Sequence, residues 1–485
     1  MAALSPTFAV PSVSATPAAR VTPSSPASAL APSVTLPLRF VLTGVVSLLA
    51  GMALLVARPD LLATYHYNQY AVAATHLFVL GFLCSIVMGA MYQLVPVALE
   101  TRLHSERMAK WQFAFHLVGF AGMVGMFWVW NLKQVGHFGS AFAVGVGLFV
   151  YNIARTLRRV PRWNVVATGI ASALVWLSLG VLAGLVVAAG KCTYESANTL
   201  VPTNPMWALV KSLQGTARWV NRFDALSVMH AHAHLGAVGF FVMMIVSVSY
   251  KLVPMFTLSE LQNARRAALA VTLLNLGLAG LFVTMALHSA WKLAFALVIV
   301  AGLATYAVEM TAILKARKRR VIDWGIRHFL TALGVLGVLA ALGLVLCWPG
   351  LPATLFTTQL ETVYGFLGIV GVVTFTVLGF LYKIVPFLVW YHSYSREVGR
   401  HRVPSLAELY SERLQVLSYW LFLGGLGLAC AGAALSQETL ARGGAAVLFA
   451  ALAVFAVNLG KMLRHFFRPQ LVPLVATKAP KSPQP

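Results

Sequence analysis

Twelve apolar segments, each long enough to cross a lipid bilayer, dominate this chain of 485 residues. A membrane-spanning helix needs about 20 consecutive apolar residues, because no water is present in the hydrocarbon core to hydrogen-bond an open backbone. The segments predict an all-α integral membrane protein whose main partner is the lipid bilayer. The predicted spans lie near 37–57, 70–98, 109–131, 136–155, 163–190, 225–257, 264–288, 290–314, 324–348, 361–391, 413–435 and 442–466.

The charged residues support this interpretation and set a topology. They make up only 10% of the chain, whereas soluble domains carry about 25%. The net charge of +23 would suggest nucleic acid in a soluble protein, but most of the 36 Lys and Arg fall on one side of the predicted spans. Short basic loops stay in the cytoplasm. We therefore expect cytoplasmic termini, a bacterial inner membrane and no nucleic-acid partner.

The segments outside the spans divide the chain into three parts. Residues 1–36 are rich in Ala, Ser, Pro and Thr and lack the apolar core of roughly 7–15 residues that marks a secretory signal, so a disordered cytoplasmic tail is expected there. Residues 37–468 form the membrane domain, and 469–485 are a second disordered tail. Cys192 and Cys347 both map to the outer side and could pair, although small apolar side chains are the first interpretation. The long outer segment 191–224 could hold a short interfacial helix.

One frame of residues occurs three times, on predicted spans two, six and ten. In each copy a residue is followed by Tyr after sixteen positions and by Pro after twenty: His76, Tyr92 and Pro96; His234, Tyr250 and Pro254; Phe366, Tyr382 and Pro386. Repetition of one unit indicates a repeated architecture, so we expect three pseudo-symmetric arcs of four helices. The end of each frame suggests an interfacial tyrosine and a helix-ending proline.

Histidines at the start of the frame point to a haem or metal site. An imidazole inside a membrane span is costly and is a functional hypothesis by default. Sixteen helical residues cover about 24 Å, so His76 and His234 are expected at one depth in the outer part of the bilayer. Two neutral imidazoles on separate helices can hold a haem iron on both axial sides. His76 and His234 are the expected pair, and His232 is available to a second haem.

Two more histidines extend the set of candidate metal ligands. His230 is one turn from His234 and shares its face, whereas His232 points nearly the opposite way. His288 lies at the outer end of span seven. A copper- or zinc-binding transporter or metal-trafficking protein would use the same outer histidines, and internal repeats also occur in transporters. This class is the alternative to a haem protein.

The chain resembles subunit I of the haem–copper oxidases, in the branch of the cbb-type cytochrome c oxidases and nitric oxide reductases. The similar segment is His232-x-His234-x-Gly236-x-x-Gly239-Phe240, which ends in Tyr250-x-Leu252-Val253-Pro254. His76 resembles the family's other low-spin haem ligand, and the resemblance covers about 37–466. It implies haem b, electron transfer or the handling of O2 or NO, a cytochrome c or quinol as electron donor, and other membrane subunits.

The chain departs from that family in its ligand pattern. The family carries its His-x-His pair on span ten, whereas here the pair is on span six and span ten has Phe366. Where the family has two adjacent copper ligands on span seven, this chain has only His288. An oxidoreductase of the oxidase or nitric oxide reductase type would need copper or non-haem iron near His230, His232 and His288. Copper is therefore the weaker of the two cofactor expectations.

Overall fold

Long helices make up nearly all of this protein, which a computed structural model describes from residue 32 to residue 473. We number the twelve helices of 23 or more residues in this range α1 to α12: Thr35–Ala57, Gln69–Ala98, Glu106–Trp128, Leu132–Leu157, Val165–Thr199, Ala225–Thr257, Ala264–Ala286, Lys292–Lys315, Trp324–Leu346, Leu355–Tyr394, Glu412–Ala434 and Glu438–Phe467. Eleven of them are long and apolar enough to cross a membrane. The exception is α3, whose first turns carry Glu106, Arg107 and Lys110. The expectation of an all-α membrane protein is confirmed at this level.

The segments around the helices agree only partly with the sequence expectations. Residues 1–31 and 474–485, most of the two predicted tails, lie outside the described residues. Within the second tail, Val472–Pro473 pairs as an antiparallel strand with His401–Arg402. A separate helix, Trp207–Val220, occupies the long predicted segment 191–224. All four cysteines lie in the described part of the chain and are free.

Polar N-caps explain where most of these helices begin. In nine of the twelve, an Asn, Asp, Ser or Thr side chain accepts the backbone N–H three residues ahead: Asn68, Ser105, Asn131, Asn164, Asp224, Asn263, Asp323, Thr354 and Ser411. Each cap satisfies an N–H that has no partner inside its own helix and is typically worth about 1 kcal/mol. The apolar runs therefore set the length of the helices, and these caps set their first residues.

Helices α2, α6 and α10 form the centre of the protein. In the most apolar 18-residue stretch of each of these helices, 61%, 67% and 67% of the residues are buried, compared with 17–50% in the other eight candidate spans. Helix α10 contacts both α2 and α6 in their middle segments. Around this centre, each helix packs against the next one along the chain, and α12 packs against α1. The helices that carry the repeated frame are thus the ones most enclosed by protein.

Each central helix contains a π-helical segment of eight residues at the same place in the frame. The segments are Leu77–Cys84, Leu235–Val242 and Leu367–Thr374, and they begin directly after His76, His234 and Phe366. π-helical turns are rare and occur frequently at functional sites. The repeat seen in the sequence is therefore also a repeat of backbone geometry.

The far end of the frame differs from what the sequence suggested. The prolines lie inside helices that continue beyond them, and the tyrosines are at most 3% exposed: Pro96, Pro254 and Pro386, with Tyr92, Tyr250 and Tyr382. Helices α2 and α6 end shortly after their prolines, at Ala98 and Thr257, whereas α10 continues to Tyr394, so the expected helix-ending proline is contradicted only in α10. The three tyrosines are buried in protein, contrary to the interfacial position expected for them. The physical reason is the enclosure of the three central helices, which places these tyrosines against neighbouring protein rather than against lipid headgroups.

Candidate functional site

His76 lies at the end of the first α-helical part of α2, directly before the π segment. Its Nδ1 atom is 2.8 Å from the carbonyl oxygen of Val72. A carbonyl only accepts, so this contact places the proton on Nδ1 and leaves the lone pair of Nε2 free. The ring lies 4.6 Å, centroid to centroid, from the ring of Phe127 on α3. His76 therefore presents a neutral imidazole nitrogen beside an aromatic wall.

His232 lies on the side of α6 that faces α5. A Cβ atom on Gly184 of α5 would lie 3.0 Å from Cε1 of the His232 ring, so the missing side chain gives this ring its room. Among the described residues, Nδ1 of His232 is buried and makes no well-formed hydrogen bond. The Gly180 carbonyl of α5 nevertheless interacts with the ring. His232 also interacts electrostatically with His76. The two imidazoles, on α6 and α2, are therefore within electrostatic range of each other.

The central helices leave open space at the same depth as His76 and His232. Thr75 and Ala233, each one residue before the frame histidine, are exposed, and so is Gly365 at the matching position of α10. All three lie on the most buried helices. A Cβ atom on Gly236, one turn after His232, would meet no atom within 4 Å. The central helices therefore leave a gap beside the imidazoles.

His234 makes its contacts on the other side of α6. Its Nδ1 atom is 2.8 Å from the carbonyl oxygen of His230, and its Nε2 atom is 3.2 Å from the Tyr364 hydroxyl of α10. The carbonyl fixes the proton on Nδ1, so Nε2 accepts from the tyrosine. The rings of His234 and Tyr364 are stacked with centroids 5.8 Å apart. Unlike His76, His234 already has a partner for its second nitrogen.

A second group of potential ligands lies at the N-terminal ends of α6 and α10. It consists of His66, His230 and Glu361, and one ligand atom of each lies within 4.8 Å of the others. The Nε2 atoms of His66 and His230 are 2.9 Å apart. Tyr65 donates its hydroxyl to Oε2 of Glu361 at 2.9 Å, and Nδ1 of His66 is 3.3 Å from Oγ1 of Thr362. Burial, with a smaller contribution from His230, lowers the pKa of His66 to about 4.

The structure separates the histidines that the sequence grouped together. His230 is in the second group, whereas His288 is exposed and bonds through Nδ1 to the Ser227 hydroxyl at 3.0 Å. Sequence analysis missed His66 and Glu361 as ligands. The available signal was their position, because His66 precedes span two and Glu361 opens predicted span ten, at the same side of the membrane as His230.

Two other buried histidines are explained by hydrogen bonding and packing. Nε2 of His116 is 2.8 Å from the Ser85 hydroxyl, and Nδ1 of His328 is 2.7 Å from the Trp324 carbonyl oxygen. Both rings also contact aromatic side chains. These contacts tie neighbouring helices together, or one turn of a helix to the next, while Nδ1 of His116 is buried without a hydrogen-bond partner among the described residues.

No protein-family model matches this chain, and no match was found among curated proteins. Its function has therefore to be inferred from the chemistry of the two histidine groups.

Proposed function

We propose that this chain is a haem-binding integral membrane protein, similar to subunit I of the haem–copper oxidases, that works in electron transfer or in the handling of a diatomic gas. The proposal rests on His76 and His232 being close enough to interact electrostatically, on two central helices that both pack against α10. The Nε2 atom of His76 is free, and Nδ1 of the buried His232 ring makes no well-formed hydrogen bond among the described residues, although the Gly180 carbonyl interacts with that ring. Imidazoles with free nitrogens beside an open gap suit axial ligation of a haem iron.

The surroundings of this pair fit a flat macrocycle. Phe127 provides an aromatic wall beside His76, and Gly236 leaves open space one turn from His232. The sequence contains no Cys-x-x-Cys-His motif, so the haem would be held non-covalently, and we propose haem b as its type. When bound, the iron would supply one-electron redox chemistry or a position for a gas ligand.

The contacts favour a different axial pair from the one expected from spacing. His234 is turned towards Tyr364 and away from the compartment that His76 and His232 share. We therefore assign His76 and His232 to one haem and leave His234 for a second. The protein's own contribution is orientation: the Val72 carbonyl holds the tautomer and ring direction of His76, as outer-shell partners of metal-bound histidines generally do.

The packing of the helices supports a second part of this proposal, an architecture of twelve spans in three arcs of four helices. We include α3 as a twelfth span, which gives arcs α3–α6, α7–α10 and α11–α12–α1–α2. The chain of neighbour contacts from α1 to α12 and back supports a closed ring, and the three matched π segments support its pseudo-symmetry. Twelve spans place both termini on one side, which we assign to the cytoplasm of a bacterium. Reporter fusions after residue 160 and at the C-terminus should both report the cytoplasmic side.

The test is an absorption spectrum of the full-length protein purified after haem-replete expression. We expect a Soret band with the sharp α band of a six-coordinate low-spin haem in the reduced protein. His76→Ala and His232→Ala should each abolish that low-spin signal, whereas His137→Ala, which removes an exposed histidine, should leave it unchanged. Purified protein without a Soret band would refute the haem proposal. Loss of the low-spin signal in His234→Ala but not in His232→Ala would restore the pairing expected from the sequence.

A further inference from the structure

The group His66, His230 and Glu361 is distinct from the proposed haem ligands and has the geometry of a metal site. Its ligands come from the connection between α1 and α2, from α6 and from α10. Metal–nitrogen bonds of about 2.0–2.1 Å place neighbouring ligand atoms roughly 2.9–3.4 Å apart. The 2.9 Å between Nε2 of His66 and Nε2 of His230 falls at the short end of that range. Little movement is needed for both nitrogens to share one ion.

Neighbouring side chains orient two of the three ligands. The contact of Thr362 with Nδ1 of His66 leaves Nε2 of that ring directed at His230. The Tyr65 hydroxyl occupies Oε2 of Glu361 and leaves Oε1 available. Residues 65 and 66 therefore bind residues 361 and 362 as two adjacent pairs. Ligands held in this way by outer-shell hydrogen bonds are typical of protein metal centres.

The charges around the group narrow the kind of ion it can take. Lys292 interacts electrostatically with both His230 and Glu361 without forming an ion pair with that carboxylate, and its positive charge disfavours an ion held by charge alone. Ca²⁺ and Mg²⁺ rely on several oxygen ligands and would bind poorly here. Two imidazoles and a carboxylate suit Zn²⁺, Fe²⁺ or Cu²⁺, which form strong bonds to imidazole nitrogen.

We propose that His66, His230 and Glu361 bind one divalent transition-metal ion and leave a coordination position open at the N-terminal ends of α6 and α10. Three protein ligands with an open position are the arrangement of catalytic zinc sites and of 2-His-1-carboxylate iron sites. The site does not depend on haem, since none of its ligands belongs to the pair His76 and His232. Two of its three ligands, His66 and Glu361, have no counterpart in the sequence motifs considered above.

The experiment is a titration of the full-length protein in detergent, stripped with EDTA, with Zn²⁺, with Cu²⁺ and, without oxygen, with Fe²⁺. Wild type should bind one equivalent of at least one of these ions, and metal analysis of the protein as purified distinguishes them. Glu361→Gln keeps an acceptor for Tyr65 but loses the anionic ligand. Its affinity should fall by more than the roughly 10- to 100-fold that loss of an outer-shell partner costs.

Two matched variants keep the test independent of folding. Tyr65→Phe removes only the outer-shell hydroxyl and should weaken binding by about 10-fold, and His137→Ala should bind like wild type. Haem, measured separately by its absorption, should remain at the wild-type level in all three variants, so failure of the metal site is distinguishable from failure of the haem site. Wild type without a bound equivalent, or Glu361→Gln and Tyr65→Phe with wild-type affinity, would overturn the proposal.

Discussion

Replacing Gly184 with alanine should disturb the haem without unfolding the protein. The added methyl carbon would lie 3.0 Å from Cε1 of His232, and 3.6 and 3.7 Å from its two ring nitrogens. Only the first of these contacts is too short, so the ring has to move by a few tenths of an ångström. Metal–ligand distances in proteins hold to within about 0.2 Å. The displacement therefore exceeds what an iron–nitrogen bond absorbs without weakening.

The size of the effect follows from this displacement. We expect haem affinity to fall by about 10- to 100-fold, as it does when an outer-shell partner of a metal ligand is lost. The change in the protein alone should be small, because alanine in place of a helical glycine favours the helix by about 1 kcal/mol and offsets the crowding. Gly180→Ala is the matched control: it lies one turn earlier on α5, and its methyl carbon would meet Leu235 at an ordinary 3.5 Å.

Haem titration of the purified apoprotein, followed by absorption, measures both variants against wild type. Thermal unfolding monitored by tryptophan fluorescence reports whether the fold is intact. Gly184→Ala with wild-type haem affinity and spectrum would refute the placement of His232 as an axial ligand. An equal loss in Gly180→Ala would show that α5 packing, rather than the position of the imidazole, governs haem binding.

Three further substitutions have defined outcomes. Gly236→Leu should fill the gap beside His232 and lower haem occupancy. Gly125→Leu, at a glycine that also has no neighbour within 4 Å of an added Cβ atom, should leave haem occupancy unchanged. Equal haem content in the two variants would contradict the proposed position of the haem. Asp224→Ala removes the N-cap of α6 and should cost about 1 kcal/mol in unfolding free energy, and Asp224→Asn much less. A backbone hydrogen bond lowers the pKa of the Asp224 carboxyl, so the cost of the alanine variant should be full above the ordinary pKa of about 4 and vanish as pH falls through the lowered value. Arg266→Met removes the guanidinium that lies 3.1 Å from the carboxylate of Glu309, a side chain that is 0% exposed. Because Arg266 itself is 33% exposed, we expect a loss of about 1–3 kcal/mol in unfolding free energy, less than for a fully buried pair. Chemical denaturation measures this loss.

The sequence was sufficient for the helices and for the relative directions of neighbouring histidines. Apolar length alone located the eleven helices that are long and apolar enough to cross a membrane, because each crossing of a bilayer needs about 20 apolar residues. The spacing of His230, His232 and His234 gave their faces, and the structure places His234 against Tyr364 and His232 against α5. Local periodicity is enough for such statements, since all three residues lie on one short stretch of helix.

Contacts between distant segments could not be predicted in the same way. His66 is separated by 164 residues from His230, and its neighbour Tyr65 by 296 from Glu361, so no local pattern joins them. The choice between His232 and His234 as partner of His76 depends on which neighbour each face meets. The burial of Tyr250 likewise depends on how other helices enclose α6. These features are properties of packing, and one chain read alone contains no record of it.

The π segments also have a consequence for how this protein tolerates insertions and deletions. Each segment lies between the end of a central helix that carries His76, His234 or Phe366 and the end that carries the buried tyrosine. Removing one residue from Leu235–Val242 can be absorbed by a change from π- to α-helical hydrogen bonding, whereas removing one from the α-helical stretch Met243–Thr257 would rotate one end of α6 against the other by about 100°. His232 and His234 would then turn away from their present neighbours together. The π segments are therefore the places where a central helix tolerates the loss of one residue, whereas the same loss in its α-helical part redirects ligands that it does not touch.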